Sequence, residues 1–267
     1  MAYRAFAIDL DGTLLVGEHV PDENITALRR AHDEGFQIII ATARWVQMAQ
    51  RVEAELGVEG PVIACSGAQV FDPVSGSDIF DERLPADFVS DLYDICDADR
   101  CVATVTVGDR VLLKLDGEPD HSQVPDEMEW VPRLTGAADS LPRVAAIQGS
   151  RVNARIREEL QGRYQEHVHF FDSIGPTGKT ILTLTASTAS KGDALNAACG
   201  HLGITTEQVV AFGDSENDVE MFRAAGASVA MGQADAATKA AATHVTARND
   251  EAGVAQAVYR ILETGNP

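Results

Sequence analysis

The sequence predicts an α/β protein: a doubly wound, Rossmann-like parallel-sheet core made from both chain ends, with an α+β domain inserted between them. Three observations predict it. Short apolar runs alternate with amphipathic helical segments at both ends of the chain. The middle third switches to strand-like alternation broken by a Gly-Asp turn. Each of three apolar runs in the end segments stops at a small polar cluster.

The elements follow in order. Residues 3–8 form an apolar run bounded by Asp9 and a glycine turn, which reads as a buried strand. Residues 22–34 carry Ile25, Leu28 and Ala31 at helical spacing. Residues 36–41 read as a second buried strand, 46–56 as a helix stopped by Gly57, and 61–65 as a third strand. Alternation of this kind requires a parallel sheet covered on both faces. Near Pro85 the pattern changes. Phe88, Leu92, Ile95 and Cys96 mark a helix, and 101–107 and 110–115 flank Gly108-Asp109 as a hairpin. Residues 118–139 carry too weak a period to place. Strands at 143–148, 168–171 and 180–185 and a helix at 152–160 complete an antiparallel insert. After Ser190 the βα alternation returns, with helices at 193–202, 216–224, 234–241 and 253–262 and strands at 209–212 and 228–230. The expected domains are therefore 1–83 with 187–267, and 84–186. The ligand cleft is expected over the carboxyl ends of the parallel strands.

The chain has 267 residues and a formal net charge of −20, which disfavours nucleic acid and anionic membranes as partners. Its four cysteines have no metal-ligand spacing, and no run approaches a bilayer span, so a cytoplasmic protein with reduced thiols is expected. Nothing in the sequence fixes an oligomeric state.

Four segments carry candidate chemistry. Asp9 and Asp11 follow the first strand; residues two apart in extended chain point the same way, so their carboxylates are expected to crowd and call for a cation. Magnesium fits such oxygen ligands. One carboxylate can attack phosphorus; the other can protonate the leaving oxygen and then take a proton from water. The same residues read equally well as an Asp-Gly turn. Thr42-Ala43-Arg44 offers a hydroxyl and an N–H to a phosphate oxygen, or simply an N-cap. Lys191 opens a helix behind Ser190, whose box partner is Asp193; a lysine there opposes the helix dipole at a cost of about 0.3–1 kcal/mol unless an anion sits beside it. It also reads as a surface lysine. Asp214 and Asp218 follow the strand at 209–212, as metal carboxylates, as a Ser215–Asp218 capping box, or as both. Three of the four segments follow strands of one sheet and the fourth opens the returning helix, so all should meet at one edge.

These segments, in this order, resemble the haloacid dehalogenase superfamily of phosphotransferases. Asp9-Leu10-Asp11-Gly12-Thr13-Leu14, Thr42-Ala43-Arg44, Ser190-Lys191-Gly192 and Gly213-Asp214-Ser215-Glu216-Asn217-Asp218 are similar to its four motifs. The insert between the second and third resembles a type IIB cap, which sets substrate specificity. Cys65-Ser66-Gly67-Ala68, Met231-Gly232-Gln233-Ala234 and 245–250 resemble the Cof-like sugar-phosphatase branch. The resemblance implies a magnesium-dependent phosphatase of small phosphorylated metabolites, with Asp9 as nucleophile and Asp11 as acid/base. It implies magnesium on Asp9, Asp11 (through its carbonyl), Asp214 and Asp218. Thr42, the Ala43 N–H, Arg44, Lys191 and Asn217 would serve the phosphoryl group. Ala43 replaces a usual glycine and Ser66 a frequent asparagine. A phosphosugar mutase on the same aspartyl-phosphate, and a noncatalytic metabolite-binding module, are the rival readings.

Strand parity in the insert puts Cys101, Ala103, Val105 and Val107 against its helices. Thr104, Thr106, Lys114 and Thr183 are expected on the opposite, open face above Asp9, where a polyhydroxylated phosphate would meet them; a plain solvated face is the other reading.

Overall fold

The computed structural model describes residues 3–119, 124–174 and 178–267. Contacts divide the chain into two units, Met1–Asp81 with Ser190–Pro267, and Glu82–Ala189.

The first unit is built on an eight-stranded sheet. Its strands are β1 (Ala5–Asp9), β2 (Gln37–Ala41), β3 (Val62–Ala64), β4 (Gln69–Asp72) and β5 (Ser77–Asp81), and, after the second unit, β12 (Val209–Gly213), β13 (Ala227–Ala230) and β14 (His244–Val245). The order is β14-β13-β12-β1-β2-β3-β4-β5. β1 is buried along its whole length because both faces are covered, which is why its sequence is a continuous apolar run rather than an alternation. Ala5, Ala7, Ile39 and Ala41 join one core with Ala194, Leu195 and Ala198 of α6 (Lys191–Leu202) and Met221 and Phe222 of α7 (Val219–Ala224). The alternate residues of β1 point to the other face, where Phe6 stacks on Phe36 and meets Phe212 edge-on. Helices α1 (Asp22–Asp33) and α9 (Gly253–Thr264) pack on each other, while α2 (Val46–Leu56) leads into β3 and α8 (Ala236–Ala241) precedes β14.

The core sheet is not wholly parallel. β4 and β5 form an antiparallel hairpin on β3 that the sequence did not announce. The cause is local: Cys65, Ser66 and Gly67 all take positive φ (53°, 58° and 95°) and turn the chain back on itself. β5 then carries charged residues on an exposed edge, so it lacks an apolar signature.

The second unit is a six-stranded sheet, β10-β11-β9-β6-β7-β8, under helices. Its elements are α3 (Ala86–Ala98), β6 (Val102–Val107), β7 (Arg110–Lys114), β8 (Glu129–Trp130), β9 (Val144–Gln148), α4 (Ser150–Ile156), α5 (Gly162–Tyr164), β10 (Val168–Ile174) and β11 (Thr180–Ala186). Among the described residues of this sheet only the short β7–β8 pair runs parallel. Ala103, Val105, Leu112, Ala145, Ile147, Leu182 and Leu184 pack from one sheet face on Phe88, Leu92, Ile95, Val152 and Ile156. The predicted helix at 152–160 is continuous in direction but widens to a π turn at Arg157–Gln161. The described residues of the unplaced stretch 118–139 hold only β8, and its residues 120–123 lie outside the described ones.

None of the four cysteines is in a disulfide, all four are buried, and no helix among the described residues is long and apolar enough to cross a membrane. In α2, Glu53 is buried and accepts the Gly60 N–H at 3.3 Å. Burial pushes its carboxyl up to about 7, against the pull of that hydrogen bond. In the unfolded chain Glu53 titrates near the ordinary glutamate value, so between about 4.5 and 7 the folded state holds a proton the unfolded state has lost. Its contribution is therefore fully present below that range and lost as pH rises through 7. Glu53→Gln keeps the neutral form at every pH, so its melting temperature should gain on the wild type as pH is raised from 5 to 8. Parallel melting curves across that range check this; a constant difference refutes it.

Candidate active site

Parallel pairing of β1 with β12 and with β2 brings three loops to one sheet edge. Ile8 stands beside Phe212, and Asp9 beside Ala41, so the residues that follow each strand emerge together. Asp9 is the last residue of β1 and only 4% exposed. Asp214 follows β12, and Asp218 is fully buried one turn later.

Lys191 joins these loops. It is 1% exposed, and its Nζ donates to Asp9 Oδ1 at 2.6 Å and to Asp218 Oδ1 at 2.7 Å. Ser190 caps α6 by accepting the Asp193 N–H, so the helix starts where the lysine must sit. The anions beside Lys191 are thus two carboxylates. The other oxygen of Asp218 is held by neighbouring backbone: its Oδ2 accepts the N–H groups of Asp214 and Ser215, closing a capping box with Ser215. The cap and the site are the same residue.

The electrostatics are those of a crowded, dry cluster. Burial drives the Asp9 carboxyl well above its ordinary range; Lys191 opposes the shift, and Asp218 and Asp214 add to it. Burial, then Asp218, push Asp214 up to about 6. Burial alone would lower the Lys191 amine, but Asp218 and Asp9 outweigh it and hold it charged. Carboxylate oxygens of Asp9, Asp214 and Asp218 lie within 4.8 Å of one another. When all three carboxylates are ionised, one ammonium leaves two negative charges over, and this all-oxygen set fits a hard divalent cation.

Close approach depends on glycine. A Cβ on Gly12 would lie 2.2 Å from Asp214 Oδ2, and one on Gly213 2.4 Å from the Asp218 carboxyl carbon. Gly12 also has φ +81°. Thr13 is buried, and its hydroxyl reaches Asp214 Oδ1 at 3.5 Å.

Other expected residues stand differently. The Asp11 carboxylate does not crowd Asp9: β1 ends at Asp9, so strand parity stops there, and Asp11 turns out to Arg44. It is outside the acidic cluster, and its carboxylate is no metal ligand in this arrangement. Arg44 does not present a free guanidinium to an anion; it is spent on Asp11 and Glu18. Thr42 is fully buried but caps no helix, because α2 begins only at Val46; its hydroxyl accepts the Arg44 N–H at 3.1 Å. Ala43 is exposed with ordinary negative φ, so replacing glycine there costs no strain. Asn217 accepts the Ser215 hydroxyl at 2.7 Å, and the group that positions Lys191 is Asp218 instead.

In the insert, Lys114 is on the wrong face for its expected role. Antiparallel pairing sets it opposite Ala103, on the helix-covered side, where it is buried with Nζ 3.8 Å from Cys101 Sγ. Thr104, Thr106 and Thr183 are on the other face, with Thr104 and Thr183 both paired to Ala146. Thr106 is 4% exposed.

Sequence reasoning missed residues that tie the chain's tail to the first loop. Gln233 Nε2 donates to the Gly12 carbonyl, Asn249 Nδ2 to the Leu15 carbonyl at 2.9 Å, and the Asn249 N–H to Gln233 Oε1 at 3.1 Å. Glu18 was missed as well, since a lone exposed glutamate has no sequence signal.

Comparison with known proteins agrees with this geometry. A family model described as haloacid dehalogenase-like hydrolase matches residues 6–258. The phosphatase YwpJ of Bacillus subtilis is 28% identical over 97% of this chain and 100% of its own length. The pyridoxal phosphate phosphatase YbhA of Escherichia coli is 28% identical over 98% of this chain and 100% of its own. The solved structure of BT4131, titled a subclass IIB sugar phosphatase, superposes with a TM-score of 0.79 at 23% identity, covering 98% of this chain and 99% of that one.

Removing one partner of a buried ion cluster leaves the others uncompensated. Lys191→Met should therefore destabilise the chelator-treated protein by roughly 3–5 kcal/mol near neutral pH. Lys191 opposes the upward shift of Asp9, so without it the folded state takes up a proton on Asp9 more readily, and the deficit should shrink as pH falls toward 5. Urea melts at pH 7.5 and 5 check the sign; a pH-independent deficit contradicts it.

Proposed function

This chain belongs to the haloacid dehalogenase-like hydrolases and is a phosphatase of that family, and from that premise we propose that it hydrolyses small phosphate monoesters, sugar phosphates foremost, through an aspartyl-phosphate on Asp9. The observation that carries the reading is the buried Lys191 ammonium clamped between Asp9 and Asp218 at 2.6 and 2.7 Å. A carboxylate that burial drives toward its neutral form is held beside a fixed cation, as an ionised nucleophile requires.

In the proposed reaction an Asp9 oxygen bonds to phosphorus as the bond from phosphorus to the leaving oxygen breaks. Asp11 gives its proton to that oxygen, and the alcohol departs. Asp11 then takes a proton from water as the water oxygen attacks phosphorus, which releases phosphate and restores Asp9. The Thr42 hydroxyl, the Ala43 N–H and Lys191 are the donors for the phosphoryl oxygens, with Asn217 at the rim. Asp9, Asp214, Asp218 and the Asp11 carbonyl would hold magnesium, which when bound supplies positive charge against the phosphoryl oxygens. The substrate class rests on relatives: pyridoxal phosphate is named for one and a sugar phosphate for a structural neighbour. The insert, with the half-buried Thr104 and Thr183 on the sheet face away from its helices, is proposed to select the leaving group.

Phosphate release should be measured over a panel of sugar phosphates, nucleotides, flavin mononucleotide and pyridoxal phosphate. Turnover should need magnesium, vanish in EDTA and vanish in Asp9→Asn. Full turnover in EDTA, or wild-type turnover by Asp9→Asn, would remove the reading.

A further inference from the structure

The guanidinium of Arg44 carries two carboxylates at once. Its Nε and Nη2 donate to Asp11 at 2.8 and 2.6 Å, and its Nη1 and Nη2 donate to Glu18 at 2.8 and 3.3 Å. The Arg44 side chain is 14% exposed, against 54% for Asp11 and 73% for Glu18. Ion pairs this exposed contribute little to stability, so the fold alone gives no reason for two planar forks on one residue.

Arg44 is also fixed from behind. Its N–H donates to the Thr42 hydroxyl at 3.1 Å, and its carbonyl accepts the Cys65 N–H at 2.8 Å. The Ser66 N–H donates to the Thr42 carbonyl at 3.1 Å. Cys65 and Ser66 make these bonds from the left-handed region, at φ 53° and 58°, which side chains rarely adopt. The strained turn therefore holds the 42–44 segment in place. Asp11 has no such support: it lies beyond the end of β1, beside the left-handed Gly12, and Arg44 is the charged group its carboxylate meets.

We propose that Arg44 is a positioning residue for the acid/base Asp11, and that Glu18 is the anchor that keeps the Arg44 guanidinium in place when Asp11 turns to the leaving oxygen. The proposal rests on the phosphatase reading and deepens it. A proton donor displaced by about 1 Å loses on the order of 10²-fold in rate. Asp11 is too exposed to be held by packing, so the reference must be a side chain that is itself fixed. Glu18 occupies a second edge of the guanidinium, so Arg44 does not follow Asp11 or collapse onto the phosphoryl group.

Leaving-group dependence separates this role from phosphate binding. Transfer to Asp9 from an alkyl phosphate needs a proton on the departing oxygen, whereas p-nitrophenolate leaves as the anion. kcat/KM reports events up to the formation of the aspartyl-phosphate. With magnesium saturating, Arg44→Met and Glu18→Gln should each lower kcat/KM for an alkyl phosphate such as a hexose 6-phosphate by roughly tenfold more than for p-nitrophenyl phosphate, as loss of general acid catalysis demands. The double variant should be no worse than Arg44→Met alone, because both act through one guanidinium. Melting temperatures should stay close to wild type, and Glu18→Gln, at an exposed position, keeps the test valid if Arg44→Met folds poorly. Equal losses on both substrates, or additive losses in the double variant, would overturn the proposal. Those outcomes leave the phosphatase reading standing, since that reading falls only with Asp9→Asn or EDTA.

Discussion

One buried ammonium organises the site. Lys191 lies 182 positions from Asp9 and 27 from Asp218, yet hydrogen-bonds both with almost no solvent access. A buried cation without partners is untenable, and so are two buried carboxylates without a cation. The three groups are acceptable only together. Folding both chain ends into one sheet is what makes this cluster possible, and the cluster in turn fixes how α6 and the loop after β12 meet the end of β1.

The arrangement follows from parallel strands. In such a sheet all carboxyl ends lie on one edge, so each loop that follows a strand delivers its polar residues to the same place. What the topology does not supply is closeness. That comes from missing side chains: Gly12 admits the Asp214 carboxylate, Gly213 admits Asp218, and a Cβ on Gly67 would lie 2.3 Å from the Ser190 carbonyl carbon just before Lys191. The tail then closes the first loop through Gln233 and Asn249. Residues from four distant stretches thus restrain one loop of a few residues, which is how a turn sequence becomes a rigid site.

The sequence was most informative where chemistry and backbone demand coincide. The places of Asp9, Thr42, Lys191 and Asp214 in the fold were legible because each sits next to a strand or helix end whose apolar run is unmistakable, and the α/β class follows from the same runs. The Ser215–Asp218 cap was legible for the same reason. Asp11 was misplaced because strand parity was extended past the strand's last residue. Lys114 was misplaced because parity within one strand does not say which partner residue lies opposite; the register does, and Ala103 sits there. The β4–β5 hairpin was invisible because its cause is three successive left-handed residues, two of them not glycine. Glu18, Gln233 and Asn249 act through long-range hydrogen bonds, which leave no period or spacing to read.

Charge sets the last constraint. The protein carries a formal −20, and the cations of the proposed site are already committed: Lys191 to two carboxylates, Arg44 to two more. Neither has surplus charge to offer a phosphate dianion approaching through a negative field. Backbone N–H groups and hydroxyls orient a phosphoryl group but do not cancel its charge. A divalent ion on Asp9, Asp214 and Asp218 would offset the carboxylate charge that Lys191 leaves over, and would do so at the proposed nucleophile. The proposed reaction and the proposed cation therefore rest on the same count of charges: the lysine orients the phosphoryl group with its charge already balanced by carboxylates, and a divalent ion would offset the charge of the substrate.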